Sequence, residues 1–138
     1  MPEQVDRSTI EQSVRHRVTT AEVNAGHTIV AAVPGQKFRI TALRPIAYGG
    51  AAETATSVDI LSTQSAASVR PFVVAVAGLT QSAVVTEDNA NVVVLADGAS
   101  FAVNDANTAI TIGTQSGGSD LATATGIDVI LSYVAEEA

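Results

Sequence analysis

Two histidines, His16 and His27, are the side chains that could serve a nucleophilic triad or offer imidazole to a metal ion. A triad also needs an activated nucleophile, and no serine of this chain sits in a Gly-x-Ser-x-Gly elbow. His16 alternates with valine and arginine, and His27 opens an apolar segment after Gly26, which is typical of strand residues. We therefore expect both histidines to be ordinary strand residues, neither catalytic nor metal-bound, in a protein that is not an enzyme.

Acidic and amide side chains cluster in residues 87–91 and 104–107. Oxygen ligands at alternate positions can bind Ca²⁺, but the EF-hand pattern is absent, and Asp and Asn are also the commonest turn residues. The glycine pairs at residues 49–50 and 117–118 lack the following helix and lysine of a phosphate loop. We expect turns at the acidic segments, flexible loops at the glycine pairs, and no metal or cofactor.

Three arginines near the N-terminus, Arg7, Arg15 and Arg17, are better placed for recognition than for catalysis. Residues 1–13 are polar and offer little to a core, and the guanidinium group makes fork-like contacts with carboxylates on a partner. The pattern suits a docking arm over residues 1–17. The alternative is a strand with a solvated basic face, and both interpretations stand at this point.

The rest of the chain shows the period of two that is typical of β-strands. Residues 27–48 predict a strand, a tight turn at Pro34 and Gly35, and a second strand with Phe38 and Ile40 on its buried face. Residues 14–23 predict an earlier strand, and about eight or nine short strands follow one another along the chain. The fold class is all-β: a single-domain antiparallel β-sandwich, jelly-roll-like, over residues 18–138, with an extended N-terminal arm over residues 1–17.

The last predicted strand, residues 126–134, carries apolar residues on both faces. Ile127, Val129 and Leu131 fill one face, and Ile130 and Val134 lie on the other. This second face is too apolar to remain exposed on a monomer. We expect self-association as a homotrimer, with Ile130 and Val134 at the interface.

The amino-acid composition limits the classes of partner that the chain is expected to bind. The 138 residues carry a formal net charge of −7, contain no cysteine, and place all seven basic residues in the first 70 positions. An acidic chain repels phosphate backbones, so nucleic acid is not an expected partner. No signal peptide or apolar stretch of about 18 residues is present, so no membrane association is expected. Whether the fold keeps the basic and acidic halves apart or mixes them in one sheet is left open.

Residues 28–43, Thr-Ile-Val-Ala-Ala-Val-Pro-Gly-Gln-Lys-Phe-Arg-Ile-Thr-Ala-Leu, resemble a segment of the small β-sandwich virion proteins of tailed bacteriophages. Strands rich in Ala, Thr and Ser, Gly-Gly loops and a closing strand at residues 127–134 extend the likeness over residues 18–135. Within that group the chain is most similar to capsid decoration, or cement, proteins.

The resemblance implies a non-enzymatic structural protein on the capsid exterior of a virion, assembled in the host cytoplasm. It implies binding to the major capsid protein through the arm with Arg7, Arg15 and Arg17, and trimeric self-association. The alternative is a tail or head-fibre adhesion module that binds a host surface glycan or protein through the loops at residues 48–52 and 113–123.

Overall fold

The computed structural model describes residues 11–89, 92–96, 98–115 and 119–137. Strands dominate these residues, and the helical segments within them are short. The strands are β1 (Glu11–Thr19), β2 (His27–Val30), β3 (Gln36–Tyr48), β4 (Ala52–Glu53), β5 (Ser57–Gln64), β6 (Ala67–Ala75), β7 (Val93–Leu95), β8 (Ile110–Thr114), β9 (Ala122–Thr123) and β10 (Gly126–Glu137). The helix α1 covers Thr20–Ala25, and a 3₁₀ turn covers Val76–Gly78.

The strands form antiparallel sheets that share one core. A three-stranded sheet has the order β1-β10-β3, a five-stranded sheet the order β2-β8-β5-β6-β7, and β4 pairs with β9. Buried residues of both larger sheets belong to one hydrophobic cluster, which includes Leu131 and Phe72. The predicted all-β sandwich is confirmed, whereas its jelly-roll connectivity stays a prediction.

The alternation read from the sequence explains the inner face of the three-stranded sheet. In β10, Ile127, Val129 and Leu131 are fully buried, and each neighbours a residue on β1 and on β3. Phe38 on β3 contacts Tyr133 on β10 edge to face, with ring centroids 5.4 Å apart. Such aromatic pairs stabilise a core beyond the area they bury. Burial on one face therefore fixes which side chains of these strands point outward.

Pro45 lies inside β3, where it cannot donate a backbone hydrogen bond. The strand tolerates Pro45 because β3 is an outer strand of its sheet, with β10 as its neighbour on one side; on the other side the Pro45 carbonyl accepts from the Val85 backbone N–H at 3.4 Å. The register between β3 and β10 also shifts at Ser132 and Tyr133, so that Thr41 is an extra residue on β3. Proline in a strand is typical of outer strands and bulges, and β3 has both features.

The predicted strand over residues 14–23 is too long. Strand β1 ends at Thr19, and α1 begins at Thr20. A capping box explains the change: the Thr19 hydroxyl accepts from the Glu22 backbone N–H, and the Glu22 carboxylate accepts from the Thr19 backbone N–H. Val23 has a high β-propensity, yet it lies on α1, where its side chain is fully buried. Capping and tertiary burial therefore outweigh β-propensity here.

The N-terminal arm divides into two parts. Residues 11–17 belong to β1, which pairs with β10 from Glu11 to Thr19. Arg15 and Arg17 therefore lie in a strand of the sandwich sheet. Residues 1–10, including Arg7, lie outside the described residues.

Candidate protein-binding face

The outer face of the three-stranded sheet collects side chains from distant parts of the chain. Residues directly opposite each other in antiparallel strands point to the same face, so the register defines rows across the sheet. One row is Arg15–Ile130–Arg44. We call this surface the arginine face; its outward residues are Glu11, Ser13, Arg15, Arg17, Lys37, Arg39, Ala42, Arg44, Ile46, Asp128, Ile130, Ser132, Val134 and Glu136.

Asp128 is the electrostatic anchor of this face. Its side chain is only 7% exposed, and its two oxygens accept from Arg17 Nε at 2.9 Å, Arg17 Nη2 at 3.0 Å and Arg15 Nη2 at 3.1 Å. The hydrogen bonds from Arg17 lower the pKa of Asp128 below its ordinary value, against the opposing effect of burial. The same hydrogen bonds raise the pKa of Arg17. Two-pronged contact of this kind fixes the Arg17 guanidinium in one orientation.

Arg17 also stacks on an aromatic ring. Its guanidinium carbon lies 4.3 Å from the ring centroid of Tyr48, the last residue of β3. A cation above an aromatic face is attracted by the ring quadrupole. Arg17 is therefore held from two sides, by Asp128 and by Tyr48, although its side chain remains 59% exposed.

Arg44 differs from the other arginines of this face. It is exposed, and its side chain makes no ion pair or hydrogen bond with any residue in the described part of the chain. Arg39, by contrast, donates to Glu136 at 3.3 Å and to the backbone oxygen of Phe101 at 3.0 Å. Arg44 thus offers its full set of donors to a partner, and Arg15 offers those that Asp128 does not use.

Ile130 and Val134, the predicted interface residues, lie on this face and are partly exposed. Ile130 stands between Arg15 and Arg44, and Val134 stands between Glu11 and Arg39. Arginine stems commonly cover apolar surface while the guanidinium stays in water, so this arrangement serves a monomer and an interface equally well. The role of Ile130 and Val134 in self-association stays a prediction.

An open concavity of about 640 Å³ adjoins the arginine face through Arg39. Its lining includes Leu95, which is 43% exposed, and Phe101, which is 42% exposed. Leu95 ends β7, an outer strand of the five-stranded sheet. Exposed aromatic and aliphatic side chains next to arginine are the composition that protein interfaces favour at their centres.

The register settles how the two halves of the charge pattern combine. β10, from the acidic half of the sequence, lies between β1 and β3 from the basic half. The arginine face therefore holds Arg15, Arg17, Lys37, Arg39 and Arg44 together with the acids Glu11, Asp128 and Glu136. The halves mix, yet the face stays net basic in a chain of charge −7.

Sequence reasoning missed Lys37, Arg39 and Arg44 as members of the site. The signal was present, because Lys37 and Arg39 alternate with the buried Phe38 and Ile40. What the sequence lacked was the pairing of β3 with β10, which places these residues on one face with Asp128 and Ile130.

The acidic segments act as turn elements in the part that is described. Asp105 accepts from the backbone N–H groups of Ser65 at 3.0 Å and Ala66 at 2.7 Å. The Asn104 side chain accepts from the Phe38 backbone N–H at 2.6 Å, and Asn107 accepts from Gly35 at 2.7 Å. Residues 90–91 of the other segment and the glycines at 117–118 lie outside the described residues.

The two loops considered for adhesion lie side by side. β4 pairs with β9 through Ala52 and Thr123, and the Thr125 backbone N–H donates to the Tyr48 carbonyl at 2.9 Å. The first loop therefore lies beside the C-terminal part of the second, at residues 122–123. Residues 116–118 of the second loop lie outside the description.

His16 and His27 are brought together, with their Nε2 atoms 3.3 Å apart. No group of three or more His, Cys, Asp or Glu side chains suited to a metal ion occurs among the residues that the structure describes. Over the same residues, no helix has the length and apolarity needed to cross a membrane. Comparison of the chain with protein-family models, with curated proteins and with solved structures finds no match.

Proposed function

We propose that this chain is a non-enzymatic virion structural protein that decorates a tailed-phage capsid and stabilises it by bridging subunits of the major capsid protein. The proposal rests on the resemblance of residues 28–43 and on one structural observation. That observation is the row Arg15–Ile130–Arg44, in which an apolar side chain lies between two exposed arginines and Arg44 has no ion pair within the described residues.

The chemistry of this row indicates the partner. Two guanidinium groups separated by an isoleucine match a protein surface that presents carboxylates around an apolar spot. Arg39 continues the face into the concavity at Leu95 and Phe101, which would add apolar area to the contact. A protein that binds only the assembled shell stabilises it by mass action, and many copies add their contributions.

The predicted arm with Arg7, Arg15 and Arg17 remains part of this proposal, but its two parts have different roles. Residues 1–10 would reach across to a neighbouring capsid subunit, whereas Arg15 and Arg17 would act from β1 within the arginine face. Truncation at residue 18 would remove most of β1 and expose β10, so it would confuse docking with folding. A chain that begins at Glu11 keeps β1 complete.

Co-sedimentation with mature phage heads that lack the protein tests the proposal. We expect saturable binding by the full chain, weakened at least tenfold by Arg44→Glu. Thr28→Glu, which adds one negative charge at an exposed position of β2 in the other sheet, is the control for added negative charge outside the face and should bind normally. The chain beginning at Glu11 separates the contribution of residues 1–10 from that of the face.

Absence of binding to heads by the full chain would overturn the decoration role. Binding to host cells in that case, abolished by substitutions in the paired loops at residues 48–52 and 119–123, would support the adhesion module. The pairing of β4 with β9 is the observation that favours the adhesion module, because it joins the two loops into one surface. If Arg44→Glu leaves binding to heads unchanged, the decoration role is retained and the arginine face is rejected as the binding site.

A further inference from the structure

The corner where β1, α1 and β2 meet holds the two histidines of the chain in an arrangement that the docking face does not use. His16 lies on β1 of the three-stranded sheet, and His27 opens β2 of the five-stranded sheet. Their Nε2 atoms are 3.3 Å apart, their ring centroids are 5.1 Å apart, and their planes meet at 71°. The His27 side chain is 31% exposed, so solvent and ions reach it.

Glu22, on α1, orients this pair. Its carboxylate lies 3.1 Å from His27 Nδ1, so Nδ1 carries the proton and donates it, and the lone pair of His27 is at Nε2. The capping box holds the Glu22 carboxylate in place through the Thr19 hydroxyl and backbone N–H.

The geometry of the pair fits a hydrogen bond at the long end of its range, and it also fits two ligands of one metal ion. A separation of 3.3 Å between the two Nε2 atoms is longer than the usual range of about 2.7–3.2 Å for nitrogen donors. Two imidazole nitrogens that bind one tetrahedral ion at about 2.0–2.1 Å lie about 3.3 Å apart. Rings placed radially around such an ion have centroids about 5.2 Å apart, close to the separation seen between His16 and His27. Both distances match two adjacent ligand positions around a single cation.

We infer that His16 Nε2 and His27 Nε2 form a binding site for a divalent transition-metal ion such as Zn²⁺. Imidazole suits Zn²⁺, Ni²⁺ and Cu²⁺, whereas Mg²⁺ and Ca²⁺ prefer oxygen ligands. Glu22 supplies the carboxylate that typically accepts from the far nitrogen of a metal-binding histidine. Water or a group from a partner fills the remaining positions. The sequence-based expectation was that neither histidine binds a metal, so this inference departs from it.

Binding requires one proton to change place. Without metal, His16 Nε2–H donates to the lone pair of His27 Nε2. On binding, the His16 proton moves from Nε2 to Nδ1, so both Nε2 lone pairs are free to bind the ion and no net proton leaves the neutral pair. His27 keeps its proton on Nδ1, against Glu22, throughout. Because the two ligands belong to different sheets, the ion would join the sheets at this corner.

Zn²⁺ titration of the full-length, untagged chain at pH 7.5, followed by calorimetry, tests the inference. We expect one Zn²⁺ per chain, at least tenfold weaker binding for His16→Ala and for His27→Ala, and no comparable heat with Mg²⁺. Glu22→Gln should weaken binding about tenfold or more, since glutamine preserves the capping box but not the charge on His27. Glu53→Gln, at an exposed carboxylate of β4, should bind normally.

Imidazole nitrogen NMR of the wild-type chain keeps the test independent of how the variants fold. The chain has only two histidines, so the spectrum contains two imidazoles. We expect Zn²⁺ to shift both Nε2 signals and to move the His16 proton to Nδ1. No binding at millimolar Zn²⁺, unshifted Nε2 signals at saturation, or full affinity in the double alanine variant would each overturn the inference.

Discussion

The ion pair between Asp59 and Arg70 gives the sharpest test of how this sandwich is stabilised. Asp59 lies on β5, in the middle of the five-stranded sheet, and is 1% exposed. Its carboxylate accepts from Arg70 Nη1 and, at 2.6 Å, from the Ser57 hydroxyl. Arg70, on β6, keeps 32% of its side chain exposed. The two partners are thus buried to very different extents.

This asymmetry predicts that the two single substitutions are unequal. Arg70→Met leaves a buried carboxylate with only a neutral hydroxyl as partner, and an uncompensated buried charge costs about 3–5 kcal/mol. Asp59→Asn leaves a guanidinium that already reaches water, and the amide oxygen can still accept from it. The cost is then that of a weakened charge-assisted hydrogen bond, about 1–2 kcal/mol. We expect Arg70→Met to be the more destabilising by about 2 kcal/mol.

Urea denaturation at pH 7 of the wild type, both single variants and the double variant measures these costs. The double variant should be more stable than Arg70→Met alone, because the neutral amide introduced by Asp59→Asn removes the stranded charge. Unchanged m-values would show that the unfolded state is comparable across the series. If Asp59→Asn destabilises as much as Arg70→Met, or the double variant is the least stable of the four, the reasoning from unequal burial is wrong.

Three further predictions concern the docking sheet and its corner. The pKa of Asp128 is lowered in the folded state, so the stability that its charged form contributes is present at neutral pH and is lost as the pH falls from about 5 through the native-state pKa. The free energies of unfolding of the wild type and of Asp128→Asn, measured against pH, should therefore converge as the pH falls. Parallel curves would contradict this prediction. Thr19→Ala should lower the free energy of unfolding by about 1 kcal/mol in urea denaturation, because α1 loses its N-cap. Thr19→Ser, which keeps a capping hydroxyl, should change stability little. Equal destabilisation by both substitutions would argue against capping. Sedimentation equilibrium tests whether Ile130 serves self-association instead of the capsid contact: a trimer that Ile130→Asp dissociates would assign the apolar spot of the arginine face to the trimer interface, whereas a wild-type monomer at micromolar concentration would leave that spot free for the capsid.

The fold was predictable where one face of a strand is buried and the alternation is strict. β3 and β10 follow this rule, and their inner residues Phe38 and Leu131 are buried as expected. The prediction failed after Thr19, where valine and threonine suggested a longer strand but the capping box started a helix. The signal of a threonine followed three residues later by glutamate was present and outweighs β-propensity at such positions.

The site was less predictable because it depends on register between distant segments. Arg17 and Asp128 are separated by 111 residues, and His16 and His27 lie in different sheets. No local pattern contains either contact. The basic character of β1 and β3 was readable, but the position of β10 between them was not.

The insertion of β10 between two basic strands decides which arginines are free for a partner. Asp128 occupies two of the five N–H donors of Arg17 and one of those of Arg15, so a partner that used these arginines would have to compete with an internal carboxylate. Arg44 carries no such cost within the described residues, because the residue opposite it on β10 is Ile130. Breaking an existing charge-assisted pair costs free energy, and this cost offsets much of the free energy that the arginine gains by pairing with a partner. Affinity for an acidic partner should therefore depend more on Arg44 than on the arginines of β1, although the sequence drew attention to β1 first.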